Sequence, residues 1–139
     1  MKQMLMLMLS VGMIVKSNPN YMATPTGRPV VHFEIGCRDL KKTTEFYTSL
    51  FGWSASEIPY ASLINTQSAS GIPGHITALG HEPNNYVTFY IEVEDINQTL
   101  ADIEKAGGKK LVGPVPLPDK KQFAWFADPE GNMVALITH

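Results

Sequence analysis

Val30-Val31-His32-Phe33-Glu34-Ile35-Gly36-Cys37-Arg38-Asp39-Leu40 and Tyr86-Val87-Thr88-Phe89-Tyr90-Ile91-Glu92-Val93-Glu94-Asp95-Ile96 are the two stretches whose reading decides the fold. Each alternates apolar and polar side chains and so predicts a half-buried strand. Val31, Phe33 and Ile35 fall on one side of the first strand, with His32 and Glu34 on the other. In the second, Val87, Phe89 and Ile91 oppose Thr88 and Tyr90. Each strand is followed by an aspartate placed as a helix N-cap, Asp39 or Asp95, standing 56 positions apart. The same offset matches Ile35 to Ile91, Leu40 to Ile96 and Gly52 to Gly108.

Working outward, Leu40, Thr43, Phe46, Tyr47 and Leu50 recur at helical spacing before Gly52, which suits a helix C-terminus. Strand candidates follow at Trp53–Pro59, Ala61–Thr66 and Gly74–Leu79. The second half repeats this order. Ile96, Leu100, Ile103 and Ala106 form a helical stripe, and strands are predicted at Lys110–Val115, Gln122–Ala127 and Met133–Thr138. Pro114, Pro116 and Pro118 confine the first of these three to a sheet edge. The chain therefore reads as α+β, with strand–helix–three strands written twice, in modules of about 29–81 and 84–139. A repeat of this kind predicts two similar units sharing one sheet system.

The 139 residues suffice for one domain with a proper core, and 44% hydrophobic against 17% charged residues is globular composition. A formal charge of -2 and no long basic run exclude an electrostatic footprint for nucleic acid. The single cysteine, Cys37, forbids an intrachain disulfide and fits a reducing compartment. Residues 1–28 read as an N-terminal extension. Within it, Lys2 and the apolar run Met4–Val15 have the layout of a secretory signal but are too short to span a bilayer. No membrane association is expected. The expected location is cytoplasmic, or secreted or periplasmic if residues 1–22 act as a signal.

The runs Val31-His32-Phe33-Glu34-Ile35, Asp39-Leu40, Glu45-Phe46-Tyr47 and Leu50-Phe51-Gly52-Trp53, with Asp128-Pro129-Glu130-Gly131-Asn132 before the last strand, resemble the vicinal oxygen chelate superfamily. That is the glyoxalase, bleomycin-resistance and extradiol-dioxygenase group. The resemblance implies two βαβββ modules whose curled mixed sheets enclose a cleft, with helices outside. It also implies a homodimer, and, in the group's enzymes, one divalent metal held by the first and last strands of each module. Zinc, nickel, manganese or iron would suit such a site, through His, Glu or Gln ligands.

Carried over position by position, that ligand set is sparse. His32 fills the first-strand position of module one, and the offset places Thr88 at its equivalent in module two. The last-strand position of module two falls on Ala135. Matching Gly74-His75-Ile76-Thr77-Ala78-Leu79 to Gly131-Asn132-Met133-Val134-Ala135-Leu136 gives Ala78 as its partner. A shift of strand register would instead bring His75 or Thr77 to that place. Even His32 with His75 falls short of the three protein ligands usual at catalytic zinc.

These positions define the candidate site. His32 and Glu34 lie two apart on one face, as a base with its orienting carboxylate or as hydrogen-bonded groups in a cavity wall. Thr88 and Tyr90 are candidates for ligand hydrogen bonds, while Ala78 and Ala135 would widen a pocket. Trp53, Tyr60, Phe123, Trp125 and Phe126 serve either an apolar pocket or the core. The preferred expectation is a protein without a required cofactor that binds a small organic molecule in its cleft. Two alternatives stand beside it: a divalent-metal lyase, isomerase or dioxygenase of the glyoxalase type, and a non-catalytic interaction module.

Overall fold

The computed structural model describes residues 27–139, so the signal-like run within residues 1–22 lies outside the described residues. In chain order the elements are β1 (Val30–Gly36), α1 (Leu40–Phe51), β2 (Ser54–Ile58), β3 (Ala61–Asn65) and β4 (Gly74–Thr77), then β5 (Tyr86–Glu92), α2 (Ile96–Lys105), β6 (Lys109–Pro116), β7 (Gln122–Ala127) and β8 (Met133–Ile137). All eight strands join one curled, unclosed mixed sheet in the order β2-β3-β4-β1-β5-β8-β7-β6. Read outward from the centre, each half gives the same sequence of strands, so the written repeat is a spatial one. The proline-bearing β6 lies at an edge, where a missing N–H costs no ladder bond.

Local chemistry sets the helix ends. The Asp39 carboxylate accepts from the Lys42 amide at 3.0 Å, and Asp95 accepts from the Gln98 amide at 3.0 Å. Gly52, left-handed at φ 69°, terminates α1. The helices then differ in how they dock. On α2, Ile96 and Leu100 are buried with Val93, Ala124, Phe126 and Leu136, forming the core of the second half. On α1 no residue is fully buried. Its contact face is Leu40 and Tyr47, packed on Phe33, Ile35 and Trp53 around the buried trio Cys37, Ile64 and Ile76, with the Thr44 hydroxyl donating to Ser62 Oγ at 2.9 Å. Phe46 and Leu50, which share the predicted stripe, remain more than half exposed. Each fully buried side chain such as Ile76 or Leu136 contributes about 1.5–3 kcal/mol.

The seam between the halves is the antiparallel pair of β1 and β5, with His32 opposite Tyr90, Glu34 opposite Thr88 and Gly36 opposite Tyr86. β4 runs parallel to β1 and sets His75 beside Glu34, while β8 runs parallel to β5 and sets Ala135 beside Tyr90. Glu34 and Tyr90 are related by the repeat offset, so the structural partner of Ala135 is His75, not Ala78. β4 ends at Thr77 instead of running on to Leu79, and Ala78 packs against the core beneath α1. The expected role of Ala78 in widening the cleft is therefore corrected: it lies on the wrong face of the sheet. Among the described residues no helix is long and apolar enough to cross a membrane.

Candidate functional site

Strand parity carries the site. His32 and Glu34 from β1, His75 and Thr77 from β4, and Tyr90 from β5 all line a cavity of about 640 Å³ in the concave side of the sheet. That volume suits a small organic ligand. Its remaining walls are mainly apolar: Tyr60, Leu63 and Leu79 on one side, Phe123, Trp125 and Ile137 on the other. Leu117 and Asp119, between β6 and β7, close one margin.

At the base of the cavity is a chain of hydrogen bonds. Glu34 is almost wholly buried, at 1% exposure. Its Oε1 accepts from the Tyr90 hydroxyl at 2.5 Å and lies 3.2 Å from His75 Nε2, while its Oε2 accepts from the Tyr86 hydroxyl. His75 Nδ1 in turn lies 2.7 Å from His32 Nε2. The pairing register explains the clamp: Tyr86 and Tyr90 are the two diagonal neighbours of Glu34 across the seam. Gly36 makes room for one of them. A Cβ there would stand 2.1 Å from the Tyr86 ring and 2.7 Å from the Asn84 carbonyl oxygen.

Electrostatics follow from this arrangement. Burial disfavours the charge on Glu34, but hydrogen bonds from His75, Tyr86 and Tyr90 outweigh it and hold the carboxyl below its ordinary range. Burial first, and the neighbouring carboxylate second, push both tyrosines well above the usual phenol range, so both remain donors. Burial and the proximity of His75 lower His32 to about 4, against an opposing pull from Glu34. His32 is thus neutral at physiological pH.

Several sequence expectations change here. Glu34 does not touch His32 directly; His75 stands between them, so the carboxylate orients His75. Thr88 faces the cavity side but is buried, and its hydroxyl donates to the Met133 carbonyl at 2.8 Å. Ala135 is fully buried, flanked in the sheet by Tyr90 and Trp125. Of the aromatic candidates, Tyr60, Phe123 and Trp125 reach the cavity, whereas Trp53 stacks on Tyr47 and Phe126 is core. Tyr86 was not among the candidates, although its parity with Thr88 and Tyr90 was the available signal. Cys37 is buried, with its thiol 3.5 Å from the Thr77 carbonyl oxygen.

The metal that the resemblance implies does not fit these donors. Of the four strand positions, Ala135 has nothing to offer and the Thr88 hydroxyl is committed to a carbonyl. The two imidazoles spend facing nitrogens on each other, and Glu34 already accepts three hydrogen bonds. Among the described residues no group of three or more His, Cys, Asp or Glu is arranged to hold a metal ion, against the three protein ligands usual at catalytic zinc.

Comparison with known proteins agrees with the fold. A glyoxylase-like domain-containing protein of Didymella fabae is 34% identical over 115 residues, covering 76% of this chain and 89% of its own. The anthracycline biosynthesis protein DnrV of Streptomyces peucetius is 29% identical over 122 residues, or 75% of this chain. The match spans only 44% of that longer protein. Among solved structures, methylmalonyl-CoA epimerase from Mycobacterium tuberculosis superposes with a TM-score of 0.60 at 14% identity, covering 78% of this chain and 86% of its own. Residues 30–136 match the family described as Glyoxalase/Bleomycin resistance protein/Dioxygenase superfamily, and the chain belongs to that superfamily.

Proposed function

We propose that this chain is a metal-independent binding protein that takes a small, largely apolar and aromatic molecule into its central cleft. The observation that carries the reading is the cavity of about 640 Å³, whose walls are mainly aliphatic and aromatic and into which His32, Glu34, His75 and Tyr90 bring a few polar groups. Apolar walls supply affinity by area, and a few placed polar groups fix orientation. His32, His75 and Tyr90 are the groups that meet the ligand there, with Glu34 and Tyr86 holding them. The partial likeness to an anthracycline biosynthesis protein makes polycyclic aromatic compounds the first candidates.

Thermal unfolding with and without an anthracycline, with fluorescence read in a Trp53→Phe background so that Trp125 alone reports, tests the reading. A ligand at about 100 times its Kd adds about 2.7 kcal/mol of stability to the folded state. A saturable rise in Tm together with quenching of Trp125 supports it. Purification without chelator followed by elemental analysis is the counter-test. Stoichiometric zinc, nickel, manganese or iron that is lost on His32→Ala would overturn it in favour of a metal-dependent lyase, isomerase or dioxygenase.

The reading includes a homodimer. It is supported by Val87 and Phe89, which point from the outer face of β5 and are 73% and 42% exposed. Sedimentation of wild-type and Val87→Glu protein checks it, with the variant expected to be monomeric.

A further inference from the structure

We infer that the cleft takes a ligand carrying an acidic hydroxyl, a phenol or an enol, and receives that hydroxyl on Nδ1 of His32. The inference rests on the binding reading above and adds the chemistry of the ligand's polar end.

The ionised carboxylate of Glu34 has only acceptors to offer. Its contacts with Tyr86, Tyr90 and His75 therefore require a hydrogen on each partner, including Nε2 of His75. The two phenols are held protonated by burial and by the carboxylate itself. With its single N–H directed at Glu34, His75 presents a lone pair on Nδ1 towards His32. The nitrogen facing it at 2.7 Å, His32 Nε2, must then be the donor of that bond.

His32 is neutral in this setting, so its remaining nitrogen, Nδ1, is also a lone pair. That atom makes no hydrogen bond among the described residues and is not among their buried unpartnered atoms. Its ring lines the cavity. The buried charge of Glu34 thus fixes, through two imidazoles, an acceptor at the cavity surface. A carbonyl or ether oxygen brought to the same place would meet lone pair with lone pair. The groups facing His32 are His75, Tyr90 and Glu34, and the hydroxyls of Tyr90 and Tyr86 are both spent on Glu34. None of these three offers a free donor; the unpartnered N–H in the cavity wall is that of Trp125, whose ring is not among those facing His32. Around the acceptor, Phe123, Trp125, Leu63 and Leu79 suit a flat apolar body.

The test uses a naphthol and its methyl ether, titrated at pH 8 into the full chain and followed by calorimetry. The naphthol is expected to bind about tenfold tighter, the scale of one hydrogen bond to a buried partner. The ether is the more apolar of the pair, so burial alone predicts the opposite order. In His32→Phe both are expected to bind with the preference lost. Equal affinities in wild type, or a tighter ether, would overturn the inference and leave the cleft reading standing. Binding of neither compound would overturn both. Long-range proton–nitrogen correlation spectra of the wild-type protein give a readout that needs no variant and no ligand. They should show His32 and His75 both protonated at Nε2 and bare at Nδ1; a His32 protonated at Nδ1 would overturn the assignment.

Discussion

Tyr90→Phe removes one hydroxyl from the base of the cleft and leaves the ring, and so it isolates a single hydrogen bond. In the wild-type chain that hydroxyl donates to Glu34 Oε1 at 2.5 Å, and Glu34 is 1% exposed. Hydrogen bonds to charged groups are worth about 1.5–3 kcal/mol, and a carboxylate this buried recovers little of a lost donor from solvent. The substitution is expected to cost that amount at pH 7. For a domain of this size this lowers Tm by several degrees, at roughly 4 °C per kcal/mol. The sign with pH follows from linkage. Glu34 has a folded pKa below its ordinary value, so its contribution is present above about 4.5 and is lost as pH falls through the lowered pKa. Removing a donor weakens that depression, and the difference between variant and wild type should shrink towards pH 3. Urea denaturation followed by circular dichroism at pH 7 and pH 3 measures both quantities, and repeating it in a Glu34→Gln background removes the charge. A cost under about 0.5 kcal/mol at pH 7, or one that grows as the pH is lowered, would refute the description of Glu34 as a clamped carboxylate.

Two further outcomes are expected. His32 has its pKa lowered to about 4, so the unfolded chain binds the extra proton first. Stability should therefore fall as pH drops from 6.5 towards 4, by about 1–2 kcal/mol once partial solvent exposure is allowed for. Comparison of wild type with His32→Phe by urea midpoints at pH 7.5 and 4.5 checks this, and parallel losses would sink it. Gly36→Ala is expected to displace the Tyr86 ring, because its Cβ would lie 2.1 Å from that ring, at a cost of about 1–3 kcal/mol. The same denaturation assay and the near-ultraviolet dichroism of the tyrosines report it.

The repeat was legible because alternation in β1 and β5 and the two capping aspartates are local signals. The β4 register was not. It hung on matching Gly74 to Gly131, two glycines present for different reasons. Gly74 lies inside a strand, where a Cβ would meet the Phe33 ring at 2.5 Å; Gly131 sits in a turn at φ 89°. Identical letters concealed a difference of role, and Ala78 took the place that pairing gives to His75. The exposed Phe46 and Leu50 show the same limit on α1: helical spacing marks an apolar stripe but not how much of it the sheet covers. For Tyr86, alternation gives the face it shares with Thr88 and Tyr90, but its diagonal contact with Glu34 across the seam needs the β1–β5 register.

That seam has a consequence for how the molecule opens. The two halves no longer share the work equally: the first supplies the carboxylate and both imidazoles, and the second supplies the two phenols that keep the carboxylate dissolved in protein. Parting β1 from β5 would strand an anion without its solvating shell, while fraying of the β2 or β6 margins leaves the anion untouched. The centre of the sheet should consequently be the slowest part to exchange its amide hydrogens. A chain cut between the modules, at Glu82–Asn85, should reassociate along the same seam, with Glu34 taken up again by Tyr86 and Tyr90.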